Sequence, residues 1–379
     1  MNRHNERLHG LDHLRATAIA LVLLFHYIFY YGVPGWLNAF SSFGWSGVDL
    51  FFVLSGYLIA DKLFREFDIQ GRVDFGGFYL NRFLRIIPAY LAVVALYFAF
   101  PNLQEGRGLQ PLWRFLTFTQ NISIDLHRNT FSHAWSLCVE EHFYLLLPIL
   151  LYLIFSREKL PKTIYLFIAV AVSGLIIRYA IWNAFVAPAY GQTRIAAALA
   201  HIYYPTYCRL DGLLVGVAIA SLFKYRPRFR KRLLKHGNGL FALSILLLIA
   251  TYFLFGGSLV SQKFTSLTTA VFGFPLVSLA YGLMVIAALS PNCPLSRYKF
   301  WPSKQLATLS YCIYLSHKIV YHIVHTQMKH VLELSGYVVF LFCLCGAILC
   351  GLTLHLIVER PFLVVRDKLK TQLDICDIR

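Results

Sequence analysis

Long apolar runs separated by short basic segments dominate the chain. A transmembrane helix needs about 20 consecutive, mostly apolar residues, and ten stretches approach this requirement, although the third is short and the sixth is rich in polar groups. The sequence therefore predicts an all-α, polytopic membrane helix bundle. The predicted spans are 11–31, 43–61, 86–100, 134–155, 163–185, 199–223, 239–256, 268–289, 306–326 and 337–358.

The distribution of basic residues predicts how the bundle is oriented. Of the 35 Lys and Arg residues, 25 fall in segments on the same side as the N-terminus, six in the opposite loops and four within spans. Basic residues collect in cytoplasmic loops. We therefore predict cytoplasmic N- and C-termini and a multi-pass protein of the inner (cytoplasmic) membrane.

The same topology accounts for the overall composition. A net charge of +17 would suggest nucleic acid in a soluble protein, but here 58% of the residues are hydrophobic and 14% charged. Even the basic run 225–236 is explained by contact with anionic lipid headgroups. Membrane lipids are expected partners and nucleic acid is not.

The spacing of the connecting segments leaves no room for a separate enzyme domain. The longest outer loop, about 101–133, is too short to fold independently, so 1–379 is predicted to be one integral-membrane domain. The eight cysteines form no C-x-x-C pair, and the histidines at 322, 325 and 330 lack accompanying carboxylates. We therefore predict no metal site.

Ionisable residues within the predicted spans are the candidates for function, because charged groups are costly in hydrocarbon. Arg15 and His26 are eleven residues apart, which returns a helix to nearly the same face about 16 Å further along. Estimated depths bring the polar groups of five helices towards one layer, as a buried polar chamber requires. Arg15 is predicted to lie near the cytoplasmic end of its span and His26 deep in it. The other ionisable groups of these spans are Asp49, Glu140, Glu141, His142, Arg209, Asp211, His317 and Lys318.

These residues lie in motifs that resemble the membrane-bound acyltransferase family 3, whose members move acyl groups, usually acetyl, mainly onto sugars. The first motif is a basic residue followed after ten residues by His, in "LDHLRATAIALVLLFHY". The resemblance covers about 11–361, leaving a short predicted cytoplasmic tail at 362–379. The other motifs follow in the expected order: "GVDLFFVLSGYLI", "FYLNRFLRIIPAYL", "WSLCVEEHFYLLLP", "RLDGLLVG", "LSYCIYLSH" and "ERP".

The resemblance, joined to the chemistry of acyl transfer, implies catalytic roles for His26, Arg15 and Glu140. A neutral imidazole can take the proton of an acceptor hydroxyl during attack on a thioester, and the alternative for His26 is a structural hydrogen bond between helices. Arg15 would bind the donor or a carboxylate, or else serve as a snorkelling anchor. Glu140 would orient His26 or pair with Arg209, and Glu141 would have a different partner or a structural role.

Arg82 and Arg85 are predicted to bind the donor, because they share a helical face and guanidinium groups match the phosphates of coenzyme A. The alternative for each is ordinary cytoplasmic charge. Asp49 would hydrogen-bond the acceptor or cap the second span. The remaining predicted substrate-binding residues are Glu141, Arg209, Asp211, Tyr311, Tyr314 and His317.

The expected function is that of an integral-membrane O-acyltransferase. It would move an acyl group, expected to be acetyl, from coenzyme A to a hydroxyl of a cell-surface or exported carbohydrate, free or lipid-linked. Acetyl-CoA or another acyl-CoA is then a substrate, and no permanently bound cofactor is expected. The alternative is a proton-coupled transporter of a small solute or lipid-linked sugar, which would use the same buried charges.

Overall fold

The computed structural model describes residues 9–31, 35–155, 160–331 and 336–376, and these residues form helices and loops without a strand. The all-α prediction is confirmed. Ten longer helices carry the fold: α1 (His9–Tyr31), α2 (Gly47–Gln70), α3 (Phe75–Ala99), α4 (Trp135–Phe155), α5 (Leu160–Ile181), α6 (Asp211–Tyr225), α7 (Gly237–Phe255), α8 (Phe274–Ala288), α9 (Trp301–Val331) and α10 (Gly336–Leu354).

Five shorter α-helices of the described chain lie between these ten, and a helix of 17 residues follows them. They are Gly35–Ser42, Leu112–Leu116, Gly191–Ala198, Pro227–Lys235, Pro294–Arg297 and Arg360–Cys376.

Seven segments of the described chain are long and apolar enough to cross a membrane by length and composition. The predicted spans within α2, α6 and α9 are not among them, because α6 has 15 residues and the other two carry several polar side chains. The count of ten spans and the orientation of the termini stay predictions. The seven segments are His9–Ile28, Phe75–Ala99, Ser132–Tyr152, Ile168–Val186, Gly237–Phe255, Thr269–Ala288 and Gly336–Leu369.

The predicted sixth span, 199–223, is not one continuous helix. A π-helical turn at Leu199–Tyr203 ends before Pro205, which has an extended backbone, and α6 begins only at Asp211. Proline lacks the amide hydrogen that a helix interior requires. Irregular backbone at this depth is tolerated where protein surrounds it, and it places Arg209 in the interior.

The helices pack around α1, α2 and α8. Helix α1 contacts α2 and α9, while α2 packs along α6 and α9 packs along α10. Buried residues make up 72% of the most apolar stretch of Thr269–Ala288, which contains α8, but only 6% of that of Ile168–Val186, which lies at the periphery.

Helices α2 and α6 approach each other closely because glycine occupies their contact. A Cβ added to Gly56 would overlap the carbonyl oxygen of Leu213, and one added to Gly216 would overlap that of Val53. Small residues allow such close contact between membrane helices. This contact holds the motif of α2 against the segment that carries Arg209.

We expect Gly216→Ala to destabilise the protein, because overpacking a tight contact costs about 1–3 kcal/mol. The matched control is Gly239→Ala in α7, where an added Cβ meets nothing within 4 Å. Thermal unfolding in detergent should show a lower midpoint for Gly216→Ala and an equal or higher one for Gly239→Ala. Equal midpoints for Gly216→Ala and the wild type would contradict the close approach.

Candidate active site

A cavity of about 320 Å³ opens between α1, α2, α3, α4 and α9. We call it the inner cavity. Four basic side chains line it: Arg15 in the first half of α1, Lys62 in the second half of α2, and Arg82 and Arg85 in the first half of α3. The polar groups further along it are Ser55, Ser136, Glu140, Glu141, Tyr144, Ser310, Tyr311 and Tyr314.

The carboxylate of Glu140 is held inside this cavity. It accepts hydrogen bonds from Tyr144, one turn further along α4, and from Ser55 of α2 at 3.4 Å. The guanidinium of Arg82 lies 4.4 Å from the centre of the Tyr144 ring. Glu140 therefore faces the basic end of the cavity, and neither of the predicted hydrogen bonds, to His26 or to Arg209, is present.

Two hydroxyl groups close the other end of the inner cavity. The hydroxyls of Ser136 and Tyr314 are 2.6 Å apart, and the Tyr314 hydroxyl donates to the backbone carbonyl of His133 at 2.6 Å. Tyr311, which is also predicted to bind substrate, lines the cavity as well and donates to the carbonyl of Ile86 at 2.7 Å.

Three imidazole rings meet behind this end of the cavity, and we call them the histidine cluster: His26, His133 and His317. Nδ1 of His26 is 3.0 Å from Nε2 of His317. The His133 ring centre lies 4.8 Å from that of His317 and 5.8 Å from that of His26. The predicted catalytic base therefore contacts another histidine rather than a carboxylate.

The hydrogen bonds of His317 determine which nitrogen of His26 is available as a base. Nδ1 of His317 faces the backbone carbonyls of Tyr314 at 2.8 Å and Ile313 at 3.2 Å. Carbonyl oxygens only accept, so this nitrogen carries hydrogen, and in the neutral ring Nε2 accepts from Nδ1 of His26. This assignment from the hydrogen-bond network leaves the lone pair of His26 on Nε2.

The segment of residues 101–134 covers the histidine cluster. Lys318, which follows His317 in α9, forms an ion pair of 3.2 Å with Glu105, and both side chains are buried. The ammonium also donates to Ser132 at 3.3 Å, and the Glu105 carboxylate accepts from the Phe131 amide at 3.0 Å. Lys318 therefore fastens the segment that presents His133.

Asp49 and Arg209, predicted to bind substrate, form a buried ion pair outside the inner cavity. One guanidinium nitrogen donates to both carboxylate oxygens, at 2.9 and 3.0 Å. The guanidinium also lies over the rings of Phe274 at 3.8 Å and Tyr203 at 4.9 Å. The Asp49 side chain thus joins α2 to the irregular segment before α6.

Arg209 pairs with Asp49, whereas Asp211, two residues further along the same motif, pairs with Arg178. Both of its carboxylate oxygens accept from Arg178, at 2.7 and 3.1 Å. Arg178 is 1% exposed and also donates to the carbonyls of Cys208 and Val271. The pair ties the peripheral α5 to the start of α6, and the geometry indicates a structural role.

We expect Arg209→Met to destabilise the protein strongly, because removing one partner of a buried pair leaves an uncompensated charge and costs about 3–5 kcal/mol. The double variant Asp49→Leu with Arg209→Met removes both charges and should recover most of this loss. Thermal unfolding of the two variants in detergent gives the comparison. A single variant as stable as the wild type would contradict the structural role of the pair.

The predicted site residues thus fall into three groups. Seven line the inner cavity, two form part of the histidine cluster, and three belong to the ion pairs. The cavity group is Arg15, Arg82, Arg85, Glu140, Glu141, Tyr311 and Tyr314; the cluster group is His26 and His317; the ion-pair group is Asp49, Arg209 and Asp211.

Sequence reasoning missed His133, Tyr144, Ser55 and Arg178 as partners of these residues. His133 lies just before the predicted fourth span and so escapes a search restricted to ionisable groups within spans. Its position two residues before Trp135, at the head of the fourth motif, is the signal that could have found it.

A separate group of possible metal ligands occurs where α9 meets the end of α10: Cys312, His355 and Glu359. One carboxylate oxygen of Glu359 is 3.1 Å from the Cys312 sulfur and 2.7 Å from Nδ1 of His355. These hydrogen bonds account for the arrangement, and we assign no metal to it.

A second cavity, of about 670 Å³, lies on another face of α1, and we call it the outer cavity. It is bounded by Phe25 and Ile28 of α1, the short helix Gly35–Ser42 and the end of α7, and none of the residues that line it is charged. The Phe25 ring separates it from His26, with ring centres 5.3 Å apart. The two cavities share no lining residue, and they differ in charge.

Comparison with known families identifies the chain. A family described as an acyltransferase domain matches residues 8–356. The chain belongs to this acyltransferase family. The match includes every residue named for the inner cavity, the histidine cluster and the Asp49–Arg209 and Asp211–Arg178 ion pairs.

Several curated bacterial proteins resemble this family member. It is 28% identical to the "Peptidoglycan O-acetyltransferase OatA" of Listeria monocytogenes, over 81% of this chain and 48% of that protein. It is 28% identical to the "Putative peptidoglycan O-acetyltransferase YrhL" of Bacillus subtilis, over 95% and 55%. A "Putative O-acetyltransferase" of Staphylococcus aureus strain COL is 25% identical, over 84% and 51%.

The chain spans about half the length of these curated relatives. No solved structure matches it.

Proposed function

We propose that this acyltransferase is a membrane O-acetyltransferase that moves acetyl from acetyl-CoA to a hydroxyl group of a cell-surface or exported carbohydrate. The observation that carries the proposal is the arrangement of the inner cavity, which has basic side chains at one end and, at the other, the Ser136–Tyr314 pair that is hydrogen-bonded to the backbone of His133 in the histidine cluster. This arrangement places cationic groups, which suit a phosphorylated donor, at one end of the cavity. The His26 imidazole, whose Nε2 has a free lone pair, lies beyond the other end.

The donor is proposed to enter at the basic end. Arg82 and Arg85 project into the cavity with Arg15 and Lys62, and guanidinium groups pair with phosphate bidentately. The phosphates of coenzyme A would bind there, with the pantetheine arm extending along the cavity. Its thioester would then reach the hydroxyls of Ser136 and Tyr314, next to the histidine cluster.

The reaction that follows is direct transfer to the acceptor. Nε2 of His26 takes the proton of the acceptor hydroxyl as its oxygen bonds to the acetyl carbon. The carbon–sulfur bond then breaks, the acetyl ester forms, and the proton passes from His26 to the coenzyme A thiolate. His317 is a positioning residue in this scheme, because its Nε2 holds the hydrogen on Nδ1 of His26.

The acceptor is proposed to be a carbohydrate that approaches from the other side. Two of the relatives carry names that specify peptidoglycan, which makes peptidoglycan the first acceptor to test. The outer cavity supports this approach, because its uncharged lining, with Asn38, Ser42 and Tyr252, suits a neutral polyhydroxyl ligand better than a phosphorylated one.

The test is the O-acetyl content of surface glycans. Mass spectrometry should detect O-acetyl groups on a glycan of cells that produce the protein, and these groups should be absent from a deletion strain and from cells that produce His26→Ala. Identical glycans in all three would contradict the proposal. The transporter alternative predicts instead that a glycan or solute changes in location without losing acetyl groups.

A further inference from the structure

The imidazole of His133 lacks the hydrogen bonds that its burial requires. The residue is 2% exposed, and neither ring nitrogen has a hydrogen-bond partner among the described residues. The nearby carbonyl of Leu315 is not in hydrogen-bonding geometry. Buried polar groups are almost always paired, so these nitrogens point to a partner that is bound during function.

The fold holds this ring firmly against the base. The carbonyl of His133 accepts from Tyr314, the neighbouring Ser132 accepts from Lys318, and the His133 ring packs on Phe131 at 5.0 Å between centres. The ring is therefore presented to His26 and His317 by a turn that is fixed on both sides.

The other hydrogen-bond donors around His26 are already engaged. The Tyr314 hydroxyl must donate to the His133 carbonyl, so the Ser136 hydroxyl donates to Tyr314. The hydrogen on Nδ1 of His317 points to backbone carbonyls, and that of His26 points to His317. A neutral His133 always has one N–H group, and no acceptor among the described residues, the nearby Leu315 carbonyl included, is in hydrogen-bonding geometry with it.

Acyl transfer needs such a donor at one position. When the acceptor oxygen attacks the thioester, the electron pair of the C=O bond moves to the carbonyl oxygen. A preorganised hydrogen bond to this oxygen stabilises the negative charge. A neutral imidazole can serve as this donor, because its N–H group polarises a substrate carbonyl without the ring carrying a charge.

We propose that His133 is a catalytic residue that donates a ring N–H to the acetyl carbonyl oxygen while His26 accepts the proton of the acceptor hydroxyl. The inference rests on the proposed function. As the tetrahedral intermediate collapses, the electron pair on the carbonyl oxygen re-forms the C=O bond. The carbon–sulfur bond breaks with its electron pair leaving on the coenzyme A sulfur, and that sulfur takes the proton held by His26. Throughout these steps His133 keeps its proton.

The geometry also explains how the acetyl group would reach this donor. The Ser136–Tyr314 pair stands between the inner cavity and the cluster, and its last hydrogen bond is to His133 itself. A thioester at this end of the inner cavity, beside Ser136, would lie next to the turn whose backbone carbonyl accepts from Tyr314 and which carries the His133 ring.

Two pairs of variants of similar shape test the role: His133→Leu with His133→Asn, and His133→Met with His133→Gln. Each pair removes the imidazole, and its members differ mainly in whether the side chain has an N–H donor. We expect the apolar variants to lose about 10²- to 10³-fold in kcat, with the KM for acetyl-CoA within about threefold of wild type. At least one amide variant should exceed its apolar partner by about tenfold or more.

A base or a merely structural residue would give different results. Amide variants no faster than their apolar partners, or an apolar variant within about threefold of the wild-type kcat, would overturn the proposal. Exposed His127 in the same segment provides the control, because His127→Leu should leave kcat unchanged. Unfolding midpoints and acetyl-CoA binding, measured in parallel, show whether each variant is folded.

Failure of this inference is distinguishable from failure of the proposed function. If the wild type neither binds acetyl-CoA nor releases its acetyl group, the donor assignment itself is wrong. If the wild type transfers acetyl and the variants show no effect of the N–H group, only the role of His133 is wrong.

Discussion

Replacing His26 by alanine is expected to lower acetyl transfer by about 10²- to 10⁴-fold, the contribution of a well-placed general base. The reason is that Nε2 of His26 has its lone pair directed away from His317, while Nδ1 is held by a 3.0 Å hydrogen bond. Expression, membrane insertion and acetyl-CoA binding should be unchanged. The measurement is the initial rate of acetyl transfer by purified protein at saturating acetyl-CoA.

The matched control is His127→Ala, because His127 is an exposed histidine in the segment that covers the cluster. It should transfer acetyl at the wild-type rate. A His26→Ala variant that keeps more than about a third of the wild-type rate would show that another group accepts the proton.

The double variant Arg82→Ala with Arg85→Ala is expected to raise the KM for acetyl-CoA by about tenfold or more. Each hydrogen bond to a charged group contributes about 1.5–3 kcal/mol, and both guanidinium groups line the inner cavity. The KM for the acceptor should stay near its wild-type value. Initial rates over a matrix of donor and acceptor concentrations separate the two constants.

A control with the same loss of charge is Arg228→Ala with Lys231→Ala. These two residues are also three apart, but they lie in the short helix Pro227–Lys235, which has no buried residue. The control should leave both KM values unchanged. A raised acceptor KM with an unchanged donor KM in the Arg82 and Arg85 variant would reverse the assignment of the inner cavity.

Hydropathy and charge predict the helical class and the approximate positions of the helices, because apolar length is set by bilayer thickness. The pattern fails at 199–223, where the apolar residues continue through Pro205. There, Pro205 interrupts the helix, and an ion pair with Asp49 allows Arg209 to lie in the interior. Arg209 is accommodated by Asp49 and aromatic rings from other helices, and no feature of its own segment specifies them.

Much of the inner cavity follows from the sequence because its residues recur at helical spacing. Arg82 and Arg85 share one face of α3, and Tyr311 and Tyr314 share one face of α9. Helical spacing therefore predicts the depth of a residue along its helix, but it does not predict how one helix is rotated relative to another. The sequence could not decide whether Glu140 meets His26 or a neighbour on α2, and the structure places it beside Ser55.

The contacts within the histidine cluster could not be predicted from the sequence either. His26 and His317 are in motifs, yet their hydrogen bond depends on how α1 crosses α9. His133 comes from a segment that hydropathy assigns to the outside, and the Lys318–Glu105 ion pair brings that segment over the cluster. Lys318 thus has a structural role that the sequence alone did not provide.

Acetyl is proposed to leave coenzyme A at the end of the inner cavity next to the histidine cluster, through the action of His26. The most direct measurement uses purified protein in lipid nanodiscs with acetyl-CoA that is isotopically labelled in the acetyl group. We predict that wild-type protein releases the label from coenzyme A, as an acceptor ester when peptidoglycan fragments are present, and that His26→Ala binds the donor without releasing it. Stable, fully labelled acetyl-CoA and no detectable donor binding with the wild type would contradict the account.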